Sequence, residues 1–99
     1  MENIFALLFL ASGISCDPTQ EAHGYRGIVV SATADSATFN IYMRDGEFWK
    51  GQVTYFAGAD TEVYRNGEEV ELNEVRPGDD TLFHTRGLFF LEVYAYGEP

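Results

Sequence analysis

The sequence predicts a small antiparallel β-barrel of five to seven short strands, with no substantial helix apart from an N-terminal signal segment. Three observations predict it. Short runs rich in Val, Ile, Thr and aromatic residues alternate in polarity with period two, the spacing of a half-buried strand. Asn66-Gly67 and Asp45-Gly46 sit between such runs, and both dipeptides suit the positive φ values of a type I′ hairpin turn. Pro77-Gly78-Asp79 joins a proline that fixes φ to a glycine that permits a reversal, which marks a sharp corner.

Met1 to Cys16 reads MENIFALLFLASGISC. The apolar run Ile4 to Ala11 has the length of a signal-peptide h-region and is too short to span a bilayer. The small residues Ser12, Gly13 and Ser15 follow it. In these features the segment resembles a bacterial lipoprotein signal, whose lipobox, here Gly13-Ile14-Ser15-Cys16, ends in the acylated cysteine. The resemblance implies lipidation at Cys16 and a domain exported to the cell envelope or periplasm and tethered to the membrane. Met1-Glu2-Asn3 carries no Lys or Arg, and Gly13 stands where that family has Leu. Ordinary cleaved secretion, a retained anchor and a soluble chain with an apolar first strand therefore stay open beside it. Residues 17–24, DPTQEAHG, lack periodicity and read as a tether, with His23 as a solvated side chain.

The barrel domain is expected over residues 25–97. Tyr25 to Ala34 places Ile28, Val30, Ala32 and Ala34 on one face and Val29, Ser31 and Thr33 on the other. Asp35-Ser36 turns the chain into Ala37 to Arg44, with Phe39, Ile41 and Met43 on a dry side against Thr38, Asn40, Tyr42 and Arg44. Phe48 to Phe56 completes a meander, alternating Trp49, Gly51, Val53 and Tyr55 with Lys50, Gln52, Thr54 and Phe56. Gly51 inside this run marks a bulge or a barrel corner. Thr61 to Arg65 and Glu68 to Leu72 form the tight hairpin about Asn66-Gly67. Leu72 and Val75 are expected to dip into the barrel end on one short turn, while Asn73, Glu74 and Arg76 face water. Two strands follow, Thr81 to Thr85 and Leu88 to Tyr96. In the last, Phe89, Leu91, Val93 and Ala95 alternate with Leu88, Phe90, Glu92, Tyr94 and Tyr96.

Composition narrows the function. With 16 acidic and 6 basic residues among 99, the formal charge is -10. Phosphates are repelled unless the basic side chains gather on one face, and here they are spread from Arg26 to Arg86, so no nucleic-acid partner is expected. A single cysteine excludes an intrachain disulfide framework. The carboxylates Glu68, Glu69, Glu71, Glu74, Asp79 and Asp80 cluster in hairpin and corner positions and read as a solvated rim rather than an acid–base pair. No GxSxG, HExxH, phosphate-binding loop or CxxC occurs, which argues against an enzyme, and no cofactor is expected.

The runs GIVVSATADSATFNIY, TEVYRNGEEVELNEVRPGD and LEVYAYG resemble bacterial exported OB-like β-barrel domains of unknown function that follow lipoprotein signals. In those domains a G-x-V opening strand, a T-x-V-x-x-x-G hairpin and an L-x-x-L-x-x-G-D corner recur. The resemblance implies an OB-like barrel and carries no catalytic residue. Small exported OB-like carriers bind Cu(I) through thioether and imidazole ligands beside a tryptophan, which makes Met43 and His84, near Trp49, the metal candidates here. For recognition, Tyr42, Phe56, Phe90, Tyr94 and Tyr96 fall opposite the expected dry faces, where rings stack on ligands. The acidic surface favours a protein, peptide or glycan partner. The expectation is a non-enzymatic, envelope-tethered binding module, with a copper-type carrier or sensor as the alternative.

Overall fold

The computed structural model describes residues 21–99. The signal-like segment, Cys16 and most of the tether lie outside the described residues. Among the described residues, seven strands form one sheet: β1 (Ala22–Ala32), β2 (Ser36–Arg44), β3 (Glu47–Phe56), β4 (Glu62–Arg65), β5 (Glu68–Glu69), β6 (Asp80–Arg86) and β7 (Phe89–Tyr96). A 3-10 turn, Leu72–Glu74, lies between β5 and β6. The spatial order is β3-β2-β1-β6-β7-β4-β5, and Phe56 of β3 also meets Phe89 of β7, so five strands curl into a partial ring. The barrel-like all-β architecture is as the sequence predicts. The sheet is mixed rather than wholly antiparallel, because β7 runs parallel to both β3 and β4.

The turns behave as their residues dictate. Asp45 and Gly46 have φ of 51° and 84°, and Asn66 and Gly67 have 52° and 87°. Gly78 at the corner has φ of 92°. Leu72 and Val75 are buried there as expected, and the turn is closed by a reciprocal Glu71–Glu74 capping box, in which Glu71 N donates to Glu74 Oε2 at 2.9 Å. Gly78 N donates to Val29 O at 2.9 Å and Val29 N to Asp79 O at 3.0 Å, so the corner is stitched onto β1.

Aromatic rings fill the core. Phe83 stacks on Phe39 at 4.3 Å and on Tyr25 at 5.2 Å, and Phe90 meets Phe83 edge-on at 5.4 Å. Gly27 is what lets β1 and β2 close over these rings, since a Cβ there would lie 2.6 Å from the Asn40 carbonyl oxygen.

Bulges decide which side chains face inward, and they overturn two sequence readings, those of Met43 and Phe90. In β1 the buried residues are Tyr25, Gly27 and Val29, while Ile28 and Val30 face outward. Both faces are apolar in sequence, so alternation alone leaves the inward one open, and the register shift that leaves Val30 unpaired against β2 ends the inward row. In β2 an extra residue at Tyr42 rotates Met43 out of the dry row, to a half-buried outer position opposite Arg26. In β7 the extra residue is Leu91, so Phe90 pairs with inward Thr85 and is 2% exposed, whereas Glu92 pairs with outward His84. Phe90 is therefore core, not part of an outer aromatic row. The third strand alternates as expected, with a register shift opposite the Gly51 region.

Asp79 also departs from its expected place on a solvated rim. It is 4% exposed, and its Oδ2 accepts from Arg65 Nε at 2.7 Å and Arg76 N at 3.0 Å, while Oδ1 accepts from Arg65 Nη2 at 3.0 Å. Arg65 Nη2 also donates to Glu98 O at 2.8 Å. Gly97 lies so close against this pair that a Cβ would overlap the Asp79 carboxylate. The pair joins β4, the corner and the chain beyond β7.

Candidate functional site

Outward positions on three adjacent strands, β2, β1 and β6, form a groove of about 420 Å³. Arg26 on β1 and Leu82 on β6 are cross-strand neighbours that line one end of it. Both point outward because the residues flanking them, Tyr25, Gly27, Thr81 and Phe83, are buried. His84 lies further along β6, opposite Gly24. A Cβ at Gly24 would stand 3.1 Å from His84 Cδ2, so the glycine leaves space for the imidazole to lie across β1. The bulge at Tyr42 brings Met43 into the same groove.

A smaller recess of about 40 Å³ continues from the groove and shares Arg26 and Leu82 with it, adding Asp80 and Tyr96. The Tyr42 hydroxyl crosses β1 to donate to Asp80 Oδ1 at 2.7 Å, and that hydrogen bond raises the Tyr42 pKa. Leu82 is opposite Tyr94 on β7, which stacks on Tyr64 of β4 with ring centroids 5.4 Å apart and planes 9° from parallel. Tyr64 donates to Glu62 Oε1 at 3.1 Å, which raises its pKa likewise.

At the upper rim, Asp45 in the β2–β3 turn accepts from Gly24 N at 2.8 Å and lies 2.8 Å from His23 Nδ1. The Gly24 amide first, and His23 second, hold its carboxyl below the usual range. His23 is thus a strand residue held by a partner, not a solvated tether side chain, because β1 begins at Ala22, opposite Arg86. On the inner side of the same barrel end, the Arg44 guanidinium carbon lies 5.8 Å from the centre of the Tyr25 ring and 6.0 Å from that of Trp49. The Tyr25 hydroxyl meets Tyr55 at 2.8 Å, and burial, then this hydrogen bond, push it up to about 12.

The sequence-selected residues are thereby separated into groups. Tyr96 lines the recess with Arg26 and Leu82, Tyr42 is bonded to Asp80 of that recess, and Tyr94 is the register partner of Leu82. Phe56 stands apart, at the β3–β7 seam beside Phe89, and Phe90 is internal. Met43 and His84 share the groove, while Trp49 packs against the core on the other face. Among the described residues, no three His, Cys, Asp or Glu side chains form a metal-holding group. Arg26, Leu82 and Gly24 carry no sequence signal that marks a site, although Arg26 is the one cation between Tyr25 and Ala34. Comparison with protein-family models, curated proteins and solved structures finds no match for this chain.

Proposed function

We propose that this protein is a non-enzymatic cell-envelope β-barrel module, tethered through Cys16, that binds a protein, peptide or glycan segment along the β2–β1–β6 groove. The observation that carries the reading is the continuity of the groove with the recess under Tyr96 through Arg26 and Leu82. Its volume lies in the range of small-ligand sites. Tyrosine rings supply flat apolar contact at little entropic cost, and Arg26, Asp80 and His84 supply directional polar contacts beside them. Acetylated peptide and oligosaccharide libraries screened against the full chain test it. A ligand that shifts the Arg26, Leu82 and Tyr96 resonances, and that R26A weakens about tenfold or more, supports the reading. Ligands that bind elsewhere, or equally well to R26A, defeat it.

The tether is tested separately by intact mass of the protein from a bacterial membrane fraction, where loss of Met1 to Ser15 with added diacylglycerol supports it. A second reading, a copper-type carrier, is favoured by Met43 and His84 lining one groove. Anaerobic Cu(I) that leaves the Met43 methyl and His84 ring signals unmoved removes it.

A further inference from the structure

We infer that the barrel end from which the tether departs is a membrane-contacting surface, with Phe48 and the Leu88-Phe89 tip entering the interface of a zwitterionic bilayer. The inference rests on the tethered reading above and adds an orientation to it. β1 starts at Ala22, and two hairpin tips flank that start in the sheet. On one side Ala22 pairs with Arg86, which leads directly into the β6–β7 turn at Gly87-Leu88. On the other side Asp45 N donates to Gly24 O at 2.7 Å, which fixes the β2–β3 turn next to the same residues.

Both tips carry large apolar side chains where a solvated turn would carry polar ones. Phe48 is 81% exposed, Leu88 64% and Phe89 41%. Cys16 is six residues before Ala22, a reach of at most about 20 Å. An acyl chain on Cys16 therefore confines these tips to the vicinity of the headgroups, where aromatic and aliphatic side chains gain most from leaving water.

Charge is distributed to suit this orientation. The acidic hairpin with Glu68, Glu69, Glu71 and Glu74 follows Arg65, which is in register with Ala95, near the far end of β7. Phe89 to Ala95 spans about 20 Å, so that hairpin is held away from the tip. Around the tips Arg44 and Arg86 stand against Glu21, Asp45 and Glu47, a formal charge of only -1, and Asp45 is engaged by Gly24 N and His23. This balance fits a zwitterionic surface rather than an anionic one.

The test compares the full wild-type chain with F48S/L88S on phosphatidylcholine vesicles by amide hydrogen exchange, after intact mass has read the state of Cys16. Both substitutions are on exposed side chains, so the fold is retained. In the acylated chain, amides of Gly46–Phe48 and Gly87–Phe89 are expected to exchange several-fold more slowly in the wild type, with Glu68–Glu74 unchanged. Equal tip exchange in the two proteins overturns the inference while leaving the tether intact. Tip protection that grows with protein concentration without vesicles overturns it in favour of a second copy. If the mass shows no acyl group, the tether reading fails, and partition onto the same vesicles decides the tips. There, about tenfold tighter partition of the wild type supports them, and equal partition overturns them.

Discussion

Replacing Arg65 by methionine removes two charge-assisted hydrogen bonds from a carboxylate that water reaches only to 4% of its residue surface. Asp79 would retain the Arg76 amide as its remaining donor from this set. A buried charge stripped of its partner costs about 3 kcal/mol or more, because its desolvation is no longer offset. That is a large share of the roughly 5–10 kcal/mol that holds a domain of this size together. Urea denaturation at neutral pH should therefore show the midpoint falling by about 2 M for a slope near 1.5 kcal/mol/M.

The pH dependence identifies the cause. In the wild type, Arg65, helped by the Arg76 amide, depresses the Asp79 pKa against the effect of burial. The associated stability is present above the unfolded value near 4 and is lost as pH falls through the depressed folded value. In R65M burial dominates, the folded carboxyl rises above its unfolded value, and protonation relieves the stranded charge. The deficit of R65M should shrink as pH falls from 7 to 4, and R65M/D79N should recover part of it at pH 7. A deficit below about 1 kcal/mol, or one that is constant over that pH range, refutes the buried-charge account.

Three further outcomes follow from the packing. G27V should destabilise by about 2 kcal/mol or more in a thermal melt, because its Cβ would meet the Asn40 carbonyl and the Ile41 side chain. F90A should cost about 3–4 kcal/mol, whereas Y94A should cost roughly 1 kcal/mol, a contrast readable in parallel urea curves and reversed if Phe90 were outward. In an ultraviolet titration one of the six tyrosines should ionise late, near 12, and earlier in Y55F. Since the Tyr25 pKa is raised, its contribution to stability is complete below about 10 and is lost as pH rises through 12.

The local chemistry of the chain was legible wherever a residue's own backbone preference decided the outcome. Asn66 and Asp45 adopt positive φ because their short polar side chains tolerate it, and Gly67, Gly46 and Gly78 because they lack a Cβ, while Leu72 and Val75 are buried because a short turn leaves their neighbours to water. Phe39 and Ile41 face inward because β2 alternates cleanly up to Tyr42. The site was legible only in part. Tyr42, Tyr94 and Tyr96 alternate outward as expected, and of these Tyr96 lines the recess beside the groove, while Phe90, which the same rule places outward, is core.

The difference lies in interactions between segments distant in sequence. A bulge at Leu91 or Tyr42 reverses the parity of everything beyond it, and its position is set by the neighbouring strand rather than by the residue itself. Asp79 is acidic and sits in a turn, which by itself reads as solvated; only the register of β4 against β7 brings Arg65 over it. Arg26 and Leu82 become neighbours because β1 and β6, far apart in the chain, are adjacent in the sheet. The sequence by itself determined the strand class, the turns and the acidic character, all of which depend on near neighbours. Tertiary structure decided strand order, inward parity, the buried ion pair and the groove, because each depends on which distant backbone supplies the next hydrogen bonds.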